Sequence, residues 1–166
     1  MSALNPDFRS LGNLELLDRS LLAIFSSAKC PASLILKAHD YAQVVRDGEM
    51  GLISGFHSPA EREILAVLLK GKCPLIVVLG RRLKNARLPA LWQAEIAKGR
   101  LLILSPFKEY QSYVTKEMSL KCNDLAARLA GRVLVVHASE GGGLQGQVER
   151  WQAEGIQVER LGDFIG

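Results

Sequence analysis

The chain has 166 residues, 48% of them hydrophobic and 23% charged, a balance that suits one globular domain and excludes disordered or collagen-like sequence. Lys and Arg number 21 against 17 Asp and Glu, a net charge of +4, which leans toward an anionic partner without naming one. Its 3 cysteines stand far apart with no CxxC, so reduced thiols in a cytoplasm are expected rather than disulfides or a zinc site.

The first residues, MSALNPDFRSLGNLELLDR, carry acids and polar groups where a secretion signal needs an apolar run. No stretch approaches the roughly 20 apolar residues of a membrane span. Residues 1–18 are expected to form an arm or short helix ahead of one domain over 19–166. That domain opens on Leu21–Phe25, a uniformly apolar run, followed by a helical pattern over Ala32–Arg46. A second run, Gly51–Ser54, leads into Ser58–Gly71, where Ser58 is placed to cap a helix with Pro59 in its first turn. Ile64, Leu65, Leu68 and Leu69 form that helix's inward stripe. Leu75–Leu79, a helix over Pro89–Lys98, Leu101–Leu104, a helix over Val114–Ala130 closing at Gly131, Val133–Val136 and a helix over Leu144–Glu154 complete the alternation. Ile156–Leu161 alternates in polarity and reads as an edge strand. Cys73 and Cys122 read as small buried hydrophobes.

Short runs without alternation suit strands covered on both faces, as in a parallel sheet. Strand and helix alternate five times, which predicts a three-layer, doubly wound α/β domain with a mostly parallel sheet of about six strands. In such a sheet ligands sit beyond the carboxyl ends of the strands. That rule selects Ser26 and Ser27; Gly55, Phe56, His57 and Ser58; Gly80, Arg81 and Arg82; Ser105; and the run His137 to Gly143. The set is small, hydroxylated, glycine-rich and locally basic. Gly141, Gly142 and Gly143 let backbone N–H groups approach a ligand, and helix N-termini after such turns favour phosphate. Arg81, Arg82, Lys84 and Arg87 gather four positive charges in one loop, which reads either as an anion grip or as an ordinary solvated loop. His57 and His137 are candidates for a general acid and base, against the plainer reading of histidines that donate a hydrogen bond. GxGxxG, GxxxxGK[ST], GxSxG and HExxH are all absent, and so is a cluster of metal ligands, so neither a metal nor a resident cofactor is expected.

The ordered blocks GNLELLDRSLLAIFSS, LISGFHSPAEREIL, PLIVVLGRRL, RLLILSPF and MSLKCNDLAARLAGRVLVVHASEGGGL resemble the DNA-processing protein A (DprA/Smf) family and, more broadly, the SLOG group of Rossmann-like domains. The likeness spans roughly residues 10–145. The family's glycine-serine-arginine block stands here as Phe25, Ser26 and Ser27. Its serine-glycine block, which goes on to arginine and aspartate, keeps Ser54 and Gly55 but has Ser58 for the arginine and Glu61 for the acid. Of its arginine-asparagine-arginine element, Cys122, Asn123 and Asp124 keep only the asparagine, and His137 replaces a glutamate. An arginine fork holds phosphate through two parallel hydrogen bonds that serine, cysteine or aspartate cannot supply, and Asp124 would repel phosphate. Arg81, Arg82, Lys116 and Lys121 are the neighbouring cations available to compensate.

The resemblance implies a protein that binds single-stranded DNA, hands it to a recombinase during recombination, and pairs with a second copy of itself. A nucleotide-binding protein or hydrolase is the alternative. Related phosphoribohydrolases carry PGGxGTxxE, and here the chain reads Glu140-Gly141-Gly142-Gly143-Leu144-Gln145-Gly146-Gln147-Val148-Glu149. Glu149, one place late in that register, would activate water there, or else is a surface residue of a helix. A third alternative is a scaffold that kept the fold and lost the site. The expectation is a binding protein for single-stranded DNA or another phosphate-bearing ligand, without a cofactor unless a nucleotide serves as one.

Overall fold

The computed structural model describes residues 7–110 and 113–163. The first six residues of the expected arm and the last three of the expected domain lie outside these. Seven strands form one sheet: β1 (Arg9–Gly12), β2 (Leu21–Ser26), β3 (Gly51–Ser54), β4 (Leu75–Val78), β5 (Leu101–Ser105), β6 (Arg132–His137) and β7 (Gln157–Arg160). Five helices connect them: α1 (Ala32–Val45), α2 (Pro59–Leu68), α3 (Ala90–Ala97), α4 (Lys116–Ala130) and α5 (Gly143–Ala153). The order across the sheet is β1-β5-β4-β3-β2-β6-β7. Every neighbouring pair is parallel except β1 with β5, which is antiparallel in the register Arg9↔Ser105 to Gly12↔Leu102.

The continuous apolar runs become strands because both sheet faces are covered. Successive residues point to opposite faces. Leu22, Ile24, Leu52, Leu75, Val77, Leu101 and Ile103 pack with Ala38 and Ala42 of α1, Ile64 and Leu68 of α2, and Trp92 and Ile96 of α3. Their neighbours Ala23, Phe25, Ile53, Ile76, Val78, Leu102 and Leu104 pack with Cys122, Leu125 and Ala126 of α4 and with Val148 and Trp151 of α5. Phe25 and Trp151 meet with ring centroids 5.2 Å apart, and the Trp151 indole donates to the Asp124 carboxylate at 2.8 Å. Three layers result, with α1, α2 and α3 on one face and α4 and α5 on the other.

One strand exceeds the six read from the sequence. Arg9–Gly12, placed in an arm or short helix, is instead β1, and a 3-10 turn follows at Leu14–Asp18. All four residues of β1 are exposed, so nothing in their polarity marks a strand; β5 supplies the pairing from far along the chain. Gly12 sits at φ +119°, and a Cβ there would lie 2.6 Å from the Leu101 carbonyl oxygen, so only glycine lets β1 close on β5.

Helix boundaries follow the capping signals. Ser58 and Glu61 form a reciprocal capping box at α2, with Pro59 in its first turn. Thr115 caps α4 through the Met118 N–H, which begins α4 two residues after the expected Val114, and Gly131 closes it. The last turn of α2 is held from outside: the Arg100 guanidinium donates to the Leu68 and Leu69 carbonyls and, at 2.8 Å each, to the Cys73 carbonyl and the Glu95 carboxylate. Cys73 and Cys122 are buried, and Cys30 is half-buried; all three are free thiols. No described helix is long and apolar enough to cross a membrane.

Candidate functional site

From β2 the chain steps outward through β3, β4 and β5, then returns to lay β6 against the other side of β2. The sheet therefore reverses direction between β2 and β6, which is where an open parallel sheet has its crevice. Pairing slips at the tips, where Ser26 stands opposite His137 after a register shift at Phe25/Ser26. Ser27 N–H donates to the His137 carbonyl at 2.8 Å, and Ser27 Oγ accepts from Ser139 N–H at 2.8 Å. These bonds bring the loop after β2 and the loop after β6 together around a cavity of about 500 Å³. Ser26, Ser27, Lys29, His57, Ser58 and Glu61 form one side of it, and Lys116, Ser119, Asn123, Gly142 and Gly143 the other.

Glu61 is the buried acid at this cleft, 3% exposed. Its Oε2 accepts the Ser26 N–H at 2.8 Å, and its Oε1 accepts the His57 N–H at 2.8 Å and the Ser58 N–H at 3.3 Å. Burial pushes its pKa up, while these backbone donors pull it back. The carboxylate occupies the nest of N–H groups that the turns after β2 and β3 would otherwise turn toward an anion. An arriving phosphate is thus left the opposite wall. There Gly142 begins α5 with no side-chain cap, so the first amides of that helix keep no intrahelical partner. Lys116, Ser119 and Asn123 present one face of α4 to the same cleft, at a spacing of three, four and seven residues. Asn123 donates to Gln147 at 3.1 Å, and Gln147 donates in turn to the Leu120 carbonyl at 2.7 Å, fixing α4 against α5. Helix-terminal N–H groups with two flexible ammonium groups, Lys29 and Lys116, can hold a phosphate oxygen without an arginine fork.

A second cavity, of about 430 Å³, lies on the α2 and α3 side of the strand tips. Gly55, Phe56, Arg62, Leu65, Leu69, Gly80, Arg81, Trp92 and Val114 are in its wall. His57 lines both cavities. Its imidazole lies in a notch that two glycines leave open: a Cβ on Gly55 would stand 2.4 Å from the ring, and one on Gly80 2.9 Å. His57 Nδ1 is buried without a hydrogen-bond partner among the described residues. Burial, and then the nearby Arg62 charge, hold the His57 pKa below its ordinary value. The preceding Phe56 takes φ 53°, a left-handed conformation unfavourable for a bulky residue; its ring is buried in the core beneath.

Of the residues that strand-end reasoning selected, Ser26, Ser27, His57, Ser58, Gly142 and Gly143 come together in the first cleft, joined by Asn123, which the family resemblance brought in. Gly55, Phe56, Gly80 and Arg81 line the second cavity instead, the two glycines making room for the imidazole. Arg81 turns back on its own loop, donating to the Arg87 carbonyl at 2.9 Å, and Arg82 lies over the Tyr110 ring, 5.3 Å from its centroid. Lys121 is likewise over Phe107, at 5.4 Å. Ser105 is buried, its hydroxyl donating to the Arg81 carbonyl at 2.6 Å. Gly141 is exposed and donates its N–H to the Gln145 side chain. His137 uses its carbonyl for Ser27 and is not among the residues that line the cleft. Glu149 is exposed on α5, outside both cavities. Asp124 faces α5, engaged by Trp151 and by Arg150 at 3.7 Å, so it does not confront a phosphate in the cleft. Sequence reasoning passed over Lys29 and Ser119, whose signal was the FSSAK run and the helical spacing of Lys116, Ser119 and Asn123. Among the described residues, no group of three or more His, Cys, Asp or Glu gathers as a metal site.

No protein-family model and no curated protein matches the sequence. Solved structures do match the fold. DNA processing protein A (DprA) from Streptococcus pneumoniae superposes with a TM-score of 0.75 at 23% identity, over 92% of this chain and 54% of its own. DNA processing protein A from Helicobacter pylori, studied for its single-stranded DNA binding mode, superposes with a TM-score of 0.74 at 20% identity, over 93% of this chain and 72% of its own. The chain therefore has the Rossmann-like fold of DprA and spans about half the length of the Streptococcus pneumoniae protein.

Proposed function

We propose that the protein binds single-stranded DNA, or another chain of phosphates, in the crevice between β2 and β6, as a DprA-like DNA-processing protein. The observation that carries this reading is the convergence of the uncapped α5 N-terminus with Lys29 and Lys116 on one cleft at the sheet's point of reversal. The DprA fold supports it, since the Helicobacter pylori structure of that fold was studied for single-stranded DNA binding. Service in recombination, delivery of the strand to a recombinase, and pairing of two copies extend the same reading and rest on the family resemblance. The chemistry fits binding better than hydrolysis. Glu149, the acid that a phosphoribohydrolase reading requires, is outside the cleft, and the Glu61 carboxylate is already taken by three backbone donors.

The test is fluorescence anisotropy of a labelled single-stranded oligonucleotide at two salt concentrations, with unlabelled duplex and a nucleoside monophosphate as competitors. Micromolar or tighter binding that weakens with salt and resists the mononucleotide is expected. Displacement by the mononucleotide would transfer the site to a small nucleotide ligand, and absence of binding at low salt would refute the DNA reading.

A further inference from the structure

The cavity of about 430 Å³ beside the phosphate cleft is unused by the function proposed above, and its chemistry is of a different kind. Leu65, Ala66, Leu69, Val77, Leu79 and Trp92 make its wall largely apolar, while Arg62 and Arg81 bring positive charge to it. A cavity of this size, mostly apolar with a few polar groups, is what a small planar ligand group requires. An aromatic face next to guanidinium groups suits a flat, electron-rich ring through stacking and cation–π contact. The first cleft holds the features that select phosphate, and this one holds those that select the base attached to it.

Among the described residues, only His57 lines both cavities. Its ring rests in the notch left by Gly55 and Gly80 and leaves a buried Nδ1 without a partner. Among the described residues no hydrogen bond at Nδ1 needs to break when the ring leaves. We propose that the apolar cavity is a nucleobase subsite for the same ligand whose phosphate occupies the first cleft, and that the His57 side chain is the movable wall between them. The proposal rests on the phosphate reading of that cleft. When the ring swings out, the glycines become the floor of one continuous trough from Ser26 to Trp92.

Trp92 supplies the readout without any substitution, because the chain's other tryptophan, Trp151, is fully buried on the opposite face of the sheet. An oligothymidylate and an abasic oligomer of equal length are titrated into the full chain, following tryptophan fluorescence and anisotropy together. The base-bearing strand should quench fluorescence and bind at least tenfold tighter than the abasic one. Trp92→Phe should abolish the quench, and Ala66→Trp, which fills the cavity, should reduce base-bearing affinity to the abasic level. Equal affinity of the two strands with no change in fluorescence overturns the base subsite while leaving the phosphate cleft standing. Failure of both strands to bind overturns both readings.

Discussion

The Glu61 carboxylate accepts the Ser26 N–H at 2.8 Å across 35 residues of chain, joining the tip of β2 to the first turn of α2. The same side chain closes the α2 capping box and receives the His57 N–H. One buried acid thus sets the relative position of the two turns that make up half the cleft. Glu61→Ala strands three buried N–H donors, so a loss of about 2–4 kcal/mol is expected from the cap and the unsatisfied groups together. Urea unfolding measures it. A loss below about 1 kcal/mol would mean that water replaces the carboxylate freely.

Lys29 and Lys116 are, among the described residues, the lysines and arginines that line the cleft between β2 and β6, whereas Arg82 is engaged over Tyr110. Lys29→Ala and Lys116→Ala should each weaken single-strand binding and lower the slope of log K against log salt by about 1. Arg82→Ala should change the slope less. The reverse order, read from anisotropy titrations at several salt concentrations, would move the grip to the loop after β4.

His57 carries a pH dependence whose sign follows from its burial. Its folded pKa is below the ordinary histidine value because burial penalises the imidazolium. The unfolded chain therefore binds more protons between the two values, and stability rises with pH through that window. As pH falls below about 6.5, the native protein should lose stability that His57→Phe does not lose. Denaturation midpoints across pH 5 to 8 for both proteins test this; parallel profiles would remove His57 as the cause.

Gly55→Ala places a Cβ 2.4 Å from the imidazole, too close for both to remain. The ring is the mobile partner, so the substitution should expel His57 toward solvent at a cost of about 1–3 kcal/mol. The His57 titration, followed by NMR, should then move up toward about 6.5. An unshifted titration would show that the backbone yields instead.

Arg100 is a stability residue of another kind. Its guanidinium satisfies the Leu68 and Leu69 carbonyls at the end of α2 and the Cys73 carbonyl ahead of β4, and pairs with buried Glu95. Arg100→Met leaves that acid with Lys98 alone and should cost about 3–5 kcal/mol, the range for removing one partner of a buried pair. Thermal melts measure it. A small loss would imply that Lys98 suffices.

The parallel strands β2 to β6 were legible because each is a short apolar run, β7 because its polarity alternates as an edge strand's does, and the crevice followed from their order. β1 was not, because Arg9–Gly12 is exposed and gains its identity from β5. Within the site, Ser26, Ser27, Ser58, Gly142 and Gly143 could be located from strand ends alone. The glycines at 55 and 80 could be located but not understood, since the group they admit is the protein's own His57. What Arg81 and Arg82 touch was not legible, since charge density in sequence says nothing about a guanidinium folding back on its own loop or onto a ring.

The pairing of β1 with β5 has a consequence for the ribosome. Arg9 is made nearly a hundred residues before its partner Ser105, and β2 must wait longer still for Val133 in β6. The nascent chain consequently carries β1 unpaired until β5 is made, and the crevice between β2 and β6 cannot exist until β6 has appeared. Chaperone demand should accordingly peak between the synthesis of β5 and that of β6, when β1 already covers β5 but the edge of β2 is still open.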